Sequence, residues 1–257
     1  MNNALSHVFG ENKKGLLNVY FTAGFPAPYS TTEVLFALQD SGADIIEIGM
    51  PYSDPIADGP VIMAANELAL KNGMTIQRLL QQLARVKEKV RVPLILMGYL
   101  NPILQYGIER FCEDAASAGV SGLIVPDIPA REYVKKYKKL FEKNNLSAIF
   151  LVTPQTSEKR IRETDQICSG FLYVVSSSAT TGVSKGNSHS TEYFKRIAEM
   201  KLTNPLLIGF GIGTRERFLE ACEYAAGAIV GSAYISAIAN STDISATTAA
   251  FIRGLKG

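Results

Sequence analysis

Short apolar runs recur along the chain at intervals of roughly 25 to 35 residues. Each run is nearly continuous in aliphatic and aromatic residues, a pattern typical of strands that are buried on both faces of a parallel sheet. Eight strands are predicted: Leu16–Thr22, Asp44–Gly49, Pro93–Tyr99, Gly122–Val125, Ser147–Val152, Phe171–Ser176, Pro205–Gly209 and Gly227–Val230.

Amphipathic, charged stretches of helical length lie between these runs. The clearest are Gln77–Lys89, Glu109–Ala118, Glu132–Lys143, Glu158–Ile167 and Thr191–Lys201. The N-terminal stretch, Met1 to Lys14, predicts an extra short helix with Leu5, Val8 and Phe9 on one face.

Eight alternations of strand and helix in about 250 residues predict an α/β fold of the (β/α)8 barrel type. A doubly wound open sheet is the alternative, although it usually has fewer strands at this length. Because no linker, low-complexity run or charge block divides the chain, residues 1–257 are expected to form a single domain.

Composition and charge argue against several classes of function, including nucleic-acid binding and membrane association. Hydrophobic residues make up 47% of the chain, charged residues 19%, and the net charge is +2, which gives no electrostatic case for a nucleic-acid or membrane-surface partner. No apolar run approaches the ~18 residues that span a bilayer, and the N-terminus lacks a signal-peptide core, so a cytoplasmic protein is expected. Three scattered cysteines predict buried thiols in a reducing compartment, and neither the cysteines nor the two histidines have the spacing of a metal site.

The segment from Asp44 to Pro60 carries the strongest chemical signal. Glu47 interrupts an apolar strand, and Asp58 lies on the loop that follows it. A carboxylate in a hydrophobic run is costly unless it is paired or used. Active sites of these barrels lie at the C-terminal ends of the strands, so both acids are expected at one mouth, as an acid/base pair across a small substrate. The alternative is a salt-bridged strand residue and a turn former.

Glycine-bearing turns follow the last three predicted strands, and they suggest an anion site. They contain Thr181-Gly182, the run from Gly209 to Gly213, and Gly231-Ser232. Glycine lets an anion approach backbone N–H groups, and barrels often bind phosphate on the loops after strands seven and eight. The alternative is a set of tight turns. A dinucleotide site is rejected, because the glycine run follows the seventh strand and lacks the acidic ribose-binding partner.

These residues together resemble the α subunit of tryptophan synthase. The resemblance rests on EIGMPYSDPIADGP around Glu47, on MGYLNPI with Asn101, on VPDIP at Val125–Pro129, on Tyr173, and on the three glycine turns, and it extends over nearly the whole chain. It implies a TIM barrel that splits indole-3-glycerol phosphate into indole and glyceraldehyde 3-phosphate, for tryptophan biosynthesis.

The resemblance also implies roles for individual residues. Glu47 and Asp58 would be the catalytic acids: Glu47 protonates ring carbon C3 and then takes the hydroxyl proton, while Asp58 accepts a hydrogen bond from the indole N–H. The remaining substrate-binding residues would be Tyr173, Thr181, Gly182, Phe210, Gly211, Gly231 and Ser232.

A partner is implied as well. The family works with a β subunit that carries pyridoxal phosphate, in an α2β2 heterotetramer, whereas this chain would need no cofactor or metal of its own. Pro51, Asp54, Pro55 and Asn101 would face that subunit.

One segment departs from the family pattern. Many members have a basic residue near position 177, where this chain has Ser177. The segment Ser177–Gly186, which includes Lys185, is expected to act as a lid over the mouth.

Two other functions remain open at this point. One is a related phosphate-binding barrel, such as an isomerase or indole-glycerol-phosphate synthase, although such a synthase would need a catalytic lysine at a strand end. The other is a non-catalytic regulatory partner of a β subunit.

Overall fold

A computed structural model describes residues 4–10, 14–55, 58–176 and 187–257. Within these residues, parallel strands form a closed barrel in the order of the sequence, because the first strand pairs with both the second and the eighth. The barrel prediction is therefore confirmed, and the open doubly wound sheet is excluded. The strands are β1 Leu16–Thr22, β2 Ile45–Gly49, β3 Leu94–Met97, β4 Val120–Ile124, β5 Ser147–Val152, β6 Leu172–Val175, β7 Leu206–Gly209 and β8 Gly227–Val230.

Helices surround the barrel and connect successive strands. They are α1 Ala4–Val8, α2 Ser30–Ser41, α3 Pro60–Lys71, α4 Ile76–Val86, α5 Leu100–Tyr106, α6 Ile108–Ser117, α7 Ala130–Glu132, α8 Lys138–Lys143, α9 Glu158–Ile167, α10 Asn187–Glu199, α11 Arg215–Tyr224, α12 Ser232–Ile238 and α13 Ile244–Lys256. A 3-10 turn, Lys87–Lys89, follows α4, and a π-helical turn, Tyr133–Tyr137, joins α7 to α8.

Local sequence chemistry explains where several helices begin. Thr75, Ser157, Thr214 and Asp243 precede α4, α9, α11 and α13, and each side chain accepts a hydrogen bond from the backbone N–H three residues further on. Such N-caps satisfy an N–H group that the helix itself leaves unpaired.

Two apolar cores hold the barrel, one between the strands and the helices and one inside the ring of strands. The inner core includes Leu16, Ile45, Ile95 and Phe171. Leu5 of α1 belongs to it with no exposed surface, so the predicted N-terminal helix is present and places an apolar side chain in the barrel interior.

Most predicted elements differ from the structure by one to four residues at their ends, and two differences stand out. Strand β4 begins at Val120, two residues before the predicted start. The predicted helix Glu132–Lys143 is interrupted by the π-helical turn, where the ring of Tyr133 is buried and packs edge-on against Phe141 and Phe150 at centroid distances of 5.5 Å and 5.0 Å. Strands β3, β4 and β6 end one or two residues before the predicted ends, but the carboxyl ends of all the described strands lie on one rim of the barrel, as predicted.

Candidate functional site

Glu47 lies in β2 and is 1% exposed. Its Oε2 accepts a hydrogen bond of 2.7 Å from Nδ2 of Asn18 in β1. Burial raises the pKa of the Glu47 carboxyl to about 8; the Asn18 hydrogen bond opposes this rise, and the charge of Asp58 adds to it. A carboxyl group with this pKa is mostly protonated at neutral pH, so it can donate a proton.

Asp58 lies on the loop between β2 and α3. Gly59 has an extended backbone just before α3, and Pro60 occupies the first helical position. Proline lacks a backbone N–H, but at this position the N–H would have no partner within the helix. Nδ2 of Asn66, in α3, donates a 3.4 Å hydrogen bond to Asp58. Burial raises the pKa of Asp58 to about 6, and the Asn66 contact opposes the rise. At neutral pH this group is mostly ionised.

Both acids line one cavity of about 200 Å³ at the carboxyl ends of the strands. The other lining residues are Tyr20, Ile62, Met97, Tyr173, Phe210, Gly211, Ile212, Gly213, Ile229, Gly231, Ser232 and Ala233. Burial, with the nearby negative charges, raises the pKa of the Tyr20 and Tyr173 hydroxyls, so both stay protonated. The cavity therefore combines apolar walls, two phenols and two carboxyl groups.

The turn after β7 forms one wall of this cavity. Phe210 and Gly211 both have left-handed backbones, with φ of 69° and 74°. This conformation is unfavourable for phenylalanine, and local contacts hold it: the Phe210 ring packs edge-on against Tyr173 at 5.8 Å, and its carbonyl oxygen accepts a hydrogen bond from the Ser176 hydroxyl. The turn thereby exposes the backbone of Gly211 to the cavity.

The structure brings together most of the predicted site residues. Of the substrate-binding set, Tyr173, Phe210, Gly211, Gly231 and Ser232 line the same cavity as the two acids. Thr181 and Gly182, and the whole predicted lid Ser177–Gly186 with Lys185, lie outside the described residues.

The four predicted partner-interface residues lie on the rim rather than in the cavity. Asp54 and Asn101 are exposed, Pro51 is half-buried and Pro55 is buried. Asn101 is in α5, whose first residue, Leu100, donates its N–H to both carboxylate oxygens of Asp127, at 2.9 Å and 3.1 Å. The loop after β4 is in this way fixed to the helix that presents Asn101.

Other functional groups are scarce in the described part of the chain. No group of three or more His, Cys, Asp or Glu side chains is arranged to hold a metal ion there. The three cysteines are free, with Cys112 and Cys168 buried and Cys222 half-buried. Among the helices of these same residues, none is both long and apolar enough to cross a bilayer.

Comparison with known proteins identifies the family of the chain. The family model for the tryptophan synthase alpha chain matches residues 6–253. The chain belongs to this family. Members of the family are lyases that cleave indole-3-glycerol phosphate, so the resemblance noted in the sequence is confirmed.

Individual members of the tryptophan synthase alpha chain family are similar over most of their length. The alpha chain of Flavobacterium psychrophilum is 50% identical over 234 residues, which cover 91% of this chain and 92% of that one. The alpha chain of Flavobacterium johnsoniae is 48% identical over 240 residues, 93% and 94% of the two chains. The crystal structure of the alpha subunit from Legionella pneumophila is 33% identical, with a TM-score of 0.89, and the match covers 99% of this chain and 97% of that one.

Several residues in or next to the cavity were not identified from the sequence. Asn18 and Asn66 each bind a carboxyl group, but each lies within an otherwise apolar or helical stretch and carries no motif. One sequence signal was present for Asn18: it is a polar residue in a predicted strand made mostly of apolar residues, and the structure shows it to be fully buried. Tyr20, which lines the cavity, lies near the end of the predicted first strand, where packing alone would explain a tyrosine.

Proposed function

We propose that this chain catalyses the retro-aldol cleavage of indole-3-glycerol phosphate to indole and glyceraldehyde 3-phosphate, with Glu47 and Asp58 as the catalytic acids. One observation carries the proposal. The buried carboxyl group of Glu47 and the half-buried one of Asp58 share a cavity, and their pKa values, about 8 and about 6, leave Glu47 protonated and Asp58 ionised at neutral pH. Environments that separate the pKa values of two acids in this way assign one as donor and the other as anion.

The reaction requires both states. Glu47 donates its proton to ring carbon C3, which turns the indole into an iminium-like electron sink, and the Asp58 carboxylate accepts a hydrogen bond from the ring N–H and stabilises the positive charge. The Glu47 carboxylate then removes the proton of the side-chain hydroxyl. The carbon–carbon bond breaks, its electron pair returns to the ring, and the hydroxyl carbon becomes the aldehyde. Glu47 ends protonated again, so no net proton is consumed.

The cavity walls suit the two ends of this substrate. Tyr20 and Tyr173 stand beside the acids, with Ile62 and Met97 as apolar contacts for a flat ring. We assign the phosphate to the backbone N–H groups of Gly211 and Gly231 and to the Ser232 hydroxyl, which line the same cavity. Thr181 and Gly182 complete this assignment by the family resemblance.

The partner in this proposal is a β subunit that carries pyridoxal phosphate, and the assembly is α2β2. Pro51, Asp54, Pro55 and Asn101 form the contact. One observation supports a contact on this rim: the neighbouring helices expose apolar side chains, with Met63 of α3 and Leu104 of α5 each 47% exposed. The whole chain, residues 1–257, acts in this assembly as one domain, without a cofactor of its own.

A lyase assay on the purified chain tests the proposal. The chain should release indole and glyceraldehyde 3-phosphate in equal amounts, slowly when alone and faster with a β subunit. Chelating agents should leave the rate unchanged. If the chain shows no cleavage with or without a β subunit, yet raises the activity of that subunit, it is instead a non-catalytic regulatory partner.

A further inference from the structure

Asn18 is an unusual residue for its position. It lies in the middle of β1, has no exposed surface, and points its amide at Glu47, so it occupies the barrel interior beside an otherwise apolar inner core. Burying an amide is unfavourable unless both its donor and its acceptor are used. The donor is used: Nδ2 lies 2.7 Å from Oε2 of Glu47.

The acceptor of the same amide lacks a partner. Among the described residues, Oδ1 of Asn18 is a buried oxygen that receives no hydrogen bond. Oδ1 and Nδ2 share one carbon atom, so a group that contacts one is close to the other. A protonated carboxyl group offers one acceptor and one O–H donor, which is the pattern that complements a primary amide.

We propose that Asn18 is a positioning residue for the lyase reaction, and that it pairs with Glu47 in both protonation states: its N–H donates to the carboxylate, and its Oδ1 accepts from the protonated carboxyl group. The inference rests on the proposed role of Glu47 as the group that gives and retakes a proton. After each proton transfer, the Glu47 carboxyl group then still has a hydrogen-bond partner in the Asn18 amide within the apolar interior. The carboxyl group therefore keeps one orientation throughout.

The charged and titratable groups around Glu47 do not stabilise its carboxylate, so that stabilisation comes from Asn18. The titratable groups that face Glu47 are Tyr20 from β1, Tyr173 from β6 and Asp58 from the loop after β2. All three are neutral or negative. In the described part of the chain, the Asn18 hydrogen bond is the one contact that lowers the pKa of Glu47.

Substitution of Asn18 by the isosteric Leu should therefore change how activity depends on pH. In the unsubstituted chain, kcat/KM should rise as Asp58 ionises and fall as Glu47 ionises. The hydrogen bond to the charged carboxylate is stronger than the one from the neutral carboxyl group, so in Asn18→Leu the falling limb should move to higher pH while the rising limb stays. The kcat should drop roughly ten- to a hundredfold, the effect of one hydrogen bond to a charged group. Asn18→Val should behave in the same way, which protects the test if one variant folds poorly.

A matched control separates this role from a general loss of a buried amide. Gln39 of α2 is 8% exposed and uses both ends of its amide, toward the Lys89 carbonyl and the Arg91 N–H, far from the cavity. Gln39→Met should lower thermal stability and leave both limbs in place. If Asn18→Leu and Asn18→Val also leave the falling limb in place, Asn18 only fills space and the proposal is wrong.

A direct titration keeps this test independent of the lyase activity. The carboxyl band of Glu47 can be followed against pH by infrared difference spectroscopy, with Glu47→Gln as the blank. Its midpoint should rise in Asn18→Leu even if the chain proves not to cleave the substrate, in which case only the proposed function fails. An unchanged midpoint in a chain that does cleave would refute the Asn18 proposal alone.

Discussion

Substitution of Glu47 by Gln should make the protein more stable at alkaline pH. The folded-state pKa of about 8 lies well above the ordinary value of 4.5, so the native state binds a proton that the unfolded chain releases. The stability that this proton provides is fully present below pH 4.5, declines as the pH rises, and is lost above about pH 8. The two pKa values differ by 3.5 units, and each unit corresponds to ~1.4 kcal/mol, so the free energy of unfolding should fall by at most about 5 kcal/mol as the pH rises.

Glutamine has no such loss, because its amide is neutral at every pH and can pair with Asn18 through one acceptor and one donor. The free energy of unfolding of Glu47→Gln, relative to the unsubstituted chain, should therefore increase by several kcal/mol between pH 4.5 and pH 9. Urea unfolding at a series of pH values measures this difference. Glu33→Gln, an exposed carboxyl in the first turn of α2, is the control and should give no such trend. If the free energy of unfolding depends on pH in the same way for Glu47→Gln and the unsubstituted chain, the pKa of Glu47 is not raised in the folded state, because the group would then be ionised without penalty.

Three further predictions concern the cavity and its rim. Asp58→Asn should lower kcat about a hundredfold or more, because a neutral amide cannot stabilise the ring cation, whereas Asp54→Asn should mainly weaken the response to a β subunit; equal losses of intrinsic activity would contradict this division. Asn66→Leu removes the hydrogen bond that opposes the raised pKa of Asp58, so the rising limb of the kcat/KM profile should move above pH 6, and an unmoved limb would count against the contact. Gly209→Ala would place a methyl group 2.5 Å from the Tyr173 hydroxyl and displace the Tyr173 ring, so the Kd of a non-cleavable indole-phosphate analogue should rise. An unchanged Kd would show that the Tyr173 ring can shift without affecting substrate binding.

The strands and the two acids were predictable from the sequence because each has a local signature. A parallel strand covered on both faces is a continuous apolar run, so Glu47 is conspicuous as an acid within one. Asp58 is followed by Gly59 and Pro60, which mark the end of a loop and the first turn of α3. The rule that barrel sites lie at the carboxyl ends of strands then places both acids at one rim.

The amide partners of the acids were not predictable in this way. Asn18 reaches Glu47 from a neighbouring strand, 29 positions away in the chain, and the contact depends on the tilt and register of β1 against β2. Asn66 reaches Asp58 across the first two turns of α3, on a helix face whose direction depends on packing. The separation of the two pKa values arises mainly from burial, which a sequence pattern indicates only in outline.

The role of Glu47 is tested most simply by measuring the turnover of indole-3-glycerol phosphate by Glu47→Gln and by the unsubstituted chain, at pH 7 and with saturating substrate. The kcat of Glu47→Gln should fall on the order of a hundredfold or more, while a non-cleavable analogue binds with nearly the same Kd, because the shape of the side chain is kept and only the transferable proton is lost. A Glu47→Gln variant that cleaves the substrate within a few-fold of the unsubstituted rate would show that Glu47 is not the acid and base of this site.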